Sequence, residues 1–204
     1  MYYQPVSDLA AFVQSGGKSI RMGRDKAFVE FNGQTLLLRA LGLARAVAQE
    51  VAIVGDREKF SSFGPVIEDV YQERGPLGGI HAALASAKTE FNLMLAVDLP
   101  FVEPRFLEYV IAQARACSAT VTVPRVDGGW QPLCAVYRRE FATTAEQALI
   151  AGNNKIDVLF AKVQTRVVDE PEISKLGFSA AMFRNLNSPE ELESARRIIR
   201  SRYD

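Results

Sequence analysis

Ser15 to Lys26 reads SGGKSIRMGRDK and sets four cations, Lys18, Arg21, Arg24 and Lys26, within nine residues. Cations this close repel one another unless anions meet them. Gly16 and Gly17 remove two Cβ atoms where the chain must turn, so backbone groups there can approach a ligand. Phosphate binding is the chemistry such a loop offers. Gly17-Lys18-Ser19 has the tail of a P-loop, but that motif needs a glycine five residues earlier, and Phe12 stands there. Gly-x-Gly-x-x-Gly is also absent, because the two glycines are adjacent. A solvated basic loop with turn glycines is the other reading.

Two further constellations add to this loop. In LAVDLPFVEP, Asp98 directly follows an apolar run and is pinned by Pro100. An acid at the end of a strand can hold Mg²⁺ through one carboxylate plus substrate phosphates, or it can cap a turn. In IEDVYQERGPLGGIHAAL, Asp69 follows a short strand and Gly75-Pro76-Leu77-Gly78-Gly79 opens a helix. Free N–H groups at a helix start can receive an anion or the edge of a base. Tight helix–sheet packing would use Gly78 and Gly79 equally well. His81, the only histidine, has no second histidine to make a metal pair, and a structural or peripheral role is expected.

The elements that must position these residues alternate. LAAFV (9–13), VAIVG (51–55), LMLAV (93–97) and ATVTV (119–123) are short, apolar and partly β-branched, and predict buried strands. Between them, 35–49, 77–88 and 104–116 carry apolar residues at helical spacing, with Pro104 suited to a first turn. A strand over 132–137 leads into a helix from Glu140, and Ser188-Pro189-Glu190-Glu191 predicts a last helix start. Strand–helix alternation implies an α/β fold, a parallel-rich sheet covered on both faces. No repeat or linker interrupts it, so residues 1–204 are expected to form one domain.

Composition sets the outer bounds. Lys plus Arg, 24, equals Asp plus Glu, 24, so no global field favours nucleic acid or membrane, and anion recognition must be local. The N-terminus lacks a signal-peptide pattern, and no run approaches a membrane span. Cys117 and Cys134 fit no metal spacing and fall in apolar stretches, which suggests buried thiols in a reducing compartment, with a disulfide as the minor alternative. A cytoplasmic protein is expected.

Taken in order, these segments resemble the molybdenum cofactor guanylyltransferases, the MobA family of nucleotidyltransferases. That pattern has a strand, Leu-Ala-Gly-Gly, then Arg-Met-Gly and Asp-Lys; here QSGGKSIRMGRDKA matches at Gly16, Gly17, Arg21, Met22, Gly23, Asp25 and Lys26. FNGQTLL, IED, GPLGGI, VDLPFV, QPLCAVY and FRNLNSPEEL continue it over nearly the whole chain. Each match alone is weak, whereas the ordered set is specific. Departures are Gln14-Ser15 for Leu-Ala, Asp98-Leu99-Pro100 for Asp-Thr-Pro, and no Asn near Val54.

The resemblance implies a three-layer, Rossmann-like nucleotidyltransferase fold with a mostly parallel mixed sheet. It implies Mg²⁺-dependent transfer of GMP from GTP to the terminal phosphate of molybdopterin, releasing pyrophosphate. Arg21 and Lys26 would neutralise phosphate charge, and Asp98 would hold the metal. The segment Gln14, Ser15, Gly16, Gly17, with Asp69, would hold guanine and ribose, and Asn185 and Asn187 would face the pterin. Transient contact with molybdoenzymes or their chaperones goes with such a product. Alternatives are molybdopterin cytidylyl transfer or another phosphate acceptor, and a nucleotide-binding module without turnover. If Gln14 follows strand alternation from Phe12, it shares that residue's side and is expected to affect affinity more than base choice.

Overall fold

A computed structural model describes residues 8–15, 25–186 and 191. The first strand, β1 (Leu9–Gln14), is buried at all six positions, as a central strand of a doubly covered sheet must be. Its alternation divides the core in two. Leu9, Ala11 and Val13 face the cluster that includes Leu37 and Leu41 of α1 (Leu36–Val47) and Phe106 and Leu107 of α4 (Pro104–Arg115). Ala10 and Phe12 face Leu77, Ile80 and Leu84 of α3 (Gly75–Ser86) and Phe141 of α5 (Phe141–Ile150). Leu37 and Leu41 are almost wholly buried, so truncating either to alanine is expected to cost roughly 2–5 kcal/mol.

The remaining strands are β2 (Glu30–Phe31), β3 (Gln34–Thr35), β4 (Glu50–Val54), β5 (Val66–Ile67), β6 (Phe91–Ala96), β7 (Val121–Val126), β8 (Gly129–Trp130), β9 (Cys134–Arg138) and β10 (Thr165–Asp169). The main sheet runs β10-β7-β9-β6-β1-β4-β5, with β8 on β7. β1 is parallel to both β4 and β6, and β9 is antiparallel to β6 and β7. The sheet is therefore mixed and mostly parallel through its centre. From β1 the chain crosses through α1 to β4 on one side, then returns through α3 to β6 on the other. That reversal opens a crevice at the carboxyl ends of β1 and β6, where open α/β sheets bind ligands.

Several boundaries differ from the sequence expectation for physical reasons. Thr35 caps α1 rather than joining it, accepting from Leu38 N–H. The strand expected from Pro132 starts at Cys134, because Pro132 has no N–H to give a ladder and Cys134 N–H turns back to Gln131. The helix expected from Glu140 begins one residue on. Cys117 lies past the end of α4, half-buried, rather than inside an apolar element; Cys134 is buried in β9, and both thiols are free. The helix expected at Ser188 lies outside the described residues. Among the described residues no helix is long and apolar enough to cross a membrane.

Candidate active site

The carboxyl ends of β1 and β6 are tied together by Val97 N–H donating to Gln14 O at 3.1 Å. β6 ends at Ala96, and Asp98 follows in a turn at the mouth of the crevice. Lys26 reaches the same mouth from the far end of the glycine-rich loop. Its placement comes from a short 3-10 turn, Lys26–Phe28, whose cap Asp25 accepts from Ala27 N–H. The other oxygen of Asp25 meets Lys59 Nζ, 3.3 Å away, from α2 (Arg57–Phe60). Phe28 packs on Phe60 and Phe63, so the turn is held by rings as well as charge. Lys26 Nζ then lies 3.0 Å from Asp98 Oδ2, with both side chains about four-fifths buried. A cation and a carboxylate meet where the fold binds ligands.

The turn bearing Asp98 is braced from two sides. Arg39 of α1 donates from Nε to Pro100 O at 2.6 Å. Its guanidinium lies over the Phe31 ring, which meets Phe101 edge-on. From the other side Leu186 N–H donates to Asp98 O at 3.2 Å. That bond sets exposed Asn185 beside the turn. Arg39 and Leu186 were not marked by the sequence. An arginine three residues into an amphipathic helix carries no local signal of the turn it holds.

A second group of polar residues surrounds the first turn of α3. Gln14 points to the same side of the sheet as Phe12, and a Cβ built on Gly79 would stand 2.7 Å from its Nε2. A Cβ on Gly78 would stand 2.9 Å from Tyr71 O and 3.5 Å from Asp69 Oδ2. Each glycine thus admits a close neighbour, as tight packing requires, and each neighbour is a polar group at a helix start. Burial pushes the Asp69 carboxyl above its ordinary 3.8. Asp69 also forms part of the wall of a cavity of about 400 Å³ with Asp56, Glu58, Glu68 and Glu73. Arg57 pairs with Glu68 and Lys59 with Asp56, which offsets part of the charge of this acidic wall.

His81 is buried deeper in α3, edge-on to Tyr71, with Nε2 3.9 Å from Glu146 of α5. It joins two helices and stands apart from Lys26 and Asp98 in the contacts it makes. Burial raises the Cys134 thiol to about 12, which makes it inert. Gly16, Gly17, Arg21 and Asn187 lie outside the described residues.

A metal would have to be held sparsely. Among the described residues no three His, Cys, Asp or Glu side chains are grouped to hold an ion. Asp98 alone fits Mg²⁺, which keeps most of its water and takes one or two carboxylates plus phosphate oxygens.

Comparison with known proteins agrees with this architecture. The MobA-like NTP transferase domain matches residues 11–202. A probable molybdenum cofactor guanylyltransferase of Pelotomaculum thermopropionicum is 34% identical over 186 residues, 90% of each chain. A molybdenum cofactor guanylyltransferase of Desulfosudis oleivorans is 30% identical over 196 residues, 95% of this chain and 96% of that one. The crystal structure of molybdopterin-guanine dinucleotide biosynthesis protein A from Archaeoglobus fulgidus superposes with a TM-score of 0.83 at 27% identity, covering 94% and 99% of the two chains. With the domain spanning nearly the whole chain, and the sheet ending in a crevice that gathers Lys26 and Asp98, this protein belongs to the MobA-like NTP transferase family of nucleotidyltransferases.

Proposed function

We propose that the protein transfers GMP from GTP to the terminal phosphate of molybdopterin in a Mg²⁺-dependent reaction, releasing pyrophosphate. The observation that carries the transfer is the Lys26–Asp98 pair at the carboxyl ends of β1 and β6. The base and the acceptor rest on relatives named molybdenum cofactor guanylyltransferase and on the ordered motifs, Gly16-Gly17 among them.

The chemistry asks little of acids and bases. A phosphate oxygen of the acceptor, already anionic at neutral pH, attacks the α-phosphorus of GTP. A new P–O–P linkage forms, the bond from the α-phosphorus to the bridging oxygen breaks, and pyrophosphate leaves with that bond's electrons. No general base is needed, so the protein's contribution is position and charge. Lys26 offers three N–H donors to the α-phosphate and to the leaving group. Arg21 adds a second cation from the loop. Asp98 would hold Mg²⁺, which would supply positive charge to offset that of the phosphates. Before substrate arrives, Lys26 and Asp98 neutralise each other, so neither is left as an uncompensated charge.

Asp69, raised by burial, accepts from ribose or base on the acidic side of the crevice. Asn185, tethered through Leu186 to Asp98, and Asn187 face the pterin with amides that both donate and accept. Two free thiols suit a reducing, cytoplasmic setting.

Acceptor-dependent pyrophosphate release tests this reading. GTP and molybdopterin together are expected to release pyrophosphate, and neither alone. Release from GTP without acceptor, or none under any condition, would contradict the reading.

A further inference from the structure

Gln14 leaves a hydrogen-bond acceptor unmet. Its residue is 7% exposed, and its Oε1 is buried with no hydrogen-bond partner among the described residues. Ser15, 8% exposed, leaves its Oγ in the same state. Buried polar side chains are normally paired, so two neighbouring orphans ask for an explanation. They sit at the carboxyl end of β1, the end at which open α/β sheets bind ligands.

The surroundings say what kind of group is missing. A Cβ on Gly79 would come within 2.7–3.0 Å of Nε2, Cδ and Oε1, so the whole carboxamide lies against the first turn of α3. No side chain caps that turn. Asp69 stands on its other flank, at Gly78. Oε1 accepts and cannot donate, and an ionised Asp69 does the same. Gln14 Oε1 and Asp69 are thus two acceptors that call for donors. Guanine supplies them along one edge, at N1–H and the 2-amino group. Adenine, a purine of the same size, puts a lone pair at N1 and a C–H at C2.

We infer that Gln14 Oε1 reads the base, accepting a hydrogen bond from the N1–H and 2-amino edge of guanine laid against the first turn of α3. The inference rests on the proposed use of GTP and adds the side chain that selects it. It also revises the sequence expectation: lying on Gly79 with its carbonyl oxygen unmet, Gln14 governs base choice and not affinity alone. An acceptor facing adenine N1 sets lone pair against lone pair, so the same atom that draws guanine rejects adenine.

A structural glutamine and a base-reading one differ in sign. If Gln14 served packing, replacing it would lower stability. An orphan kept for a ligand costs stability in the free protein, and an apolar isostere of the same shape relieves that cost. Gln14→Met keeps the length and removes the acceptor.

The test is calorimetric titration of the full chain with GTP and with ATP, in Mg²⁺, for wild type and Gln14→Met, together with thermal unfolding without nucleotide. The wild type is expected to prefer GTP by at least about tenfold, and Gln14→Met to lose about tenfold for GTP and little for ATP. The midpoint of unfolding should stay level or rise. Gln14→Leu provides the same comparison should the methionine variant fail to fold. Equal losses for the two nucleotides, or unchanged GTP affinity, would overturn the inference and leave guanine recognition to other groups. A wild type with no preference for GTP would instead overturn the guanine reading on which the inference stands.

Discussion

Lys26 Nζ and Asp98 Oδ2 meet at 3.0 Å although the residues are 72 positions apart in the chain. The loop after β1 delivers one and the turn after β6 the other, so adjacent parallel strands assemble the pair. If Lys26 stabilises the charge that builds on the transferred phosphate, Lys26→Ala should lower kcat by roughly 10²–10³. Lys18→Ala, at a position the family pattern leaves open, should do much less. Steady-state kinetics of the two variants checks this; equal effects would reduce the loop to a diffuse basic patch.

Asp98→Asn keeps the side chain's size and removes its charge. Turnover is expected to fall by orders of magnitude with the circular dichroism spectrum unchanged, and Mg²⁺ should no longer tighten GTP binding. Normal activity of this variant at limiting Mg²⁺ would remove Asp98 from the metal site.

Arg39 holds the turn that carries Asp98 by its bond to Pro100 O, with its guanidinium over the Phe31 ring. Arg39→Met should let the turn drift. Small misplacements at a transfer site are costly, so kcat is expected to drop about 10- to 100-fold. The half-saturating Mg²⁺ concentration should rise while GTP affinity without metal stays constant. Arg39→Lys, which keeps a donor, should recover part of the loss. A fall in thermal stability alone would make Arg39 a packing residue.

Asp69 gives a pH signature. Its folded pKa is raised by burial, so the ionised form is disfavoured in the folded state. The cost to stability begins as pH climbs past 3.8, its ordinary value, and is complete above the raised folded value. Asp69→Asn removes that cost. The variant should be more stable than wild type at neutral pH, with the advantage vanishing below 3.8, and should bind GTP more weakly. Denaturant unfolding followed from acid to neutral pH decides it.

Much of this was legible in the sequence, and the gaps have identifiable causes. β1 and β6 announced themselves because strands buried on both faces are almost wholly apolar, and β4, buried only at Ile53 and Val54, by its short β-branched run. Two hairpins carried a readable signal that the apolar pattern overshadowed. Asn32-Gly33 and Asp127-Gly128 adopt positive φ at both positions, as tight turns between paired strands require, at β2–β3 and β7–β8. β10 and α7 (Glu170–Lys175) were missed because short, half-buried elements depend on their neighbours more than on their own residues. Lys26, Asp69 and Asp98 were marked as candidates by motif and position. Arg39 was not, since its role lies in a contact 61 residues away. Nor could the sequence show that Gly79 lies against the Gln14 carboxamide.

Guanylyl transfer itself is tested most directly by competition. With molybdopterin and Mg²⁺, equimolar GTP and CTP are offered to the protein, and the dinucleotide products are separated and identified by mass spectrometry. The guanine dinucleotide is expected to exceed the cytosine one by at least about tenfold, a difference of about 1.4 kcal/mol. A cytosine dinucleotide in the majority, or no dinucleotide at all, would contradict the account.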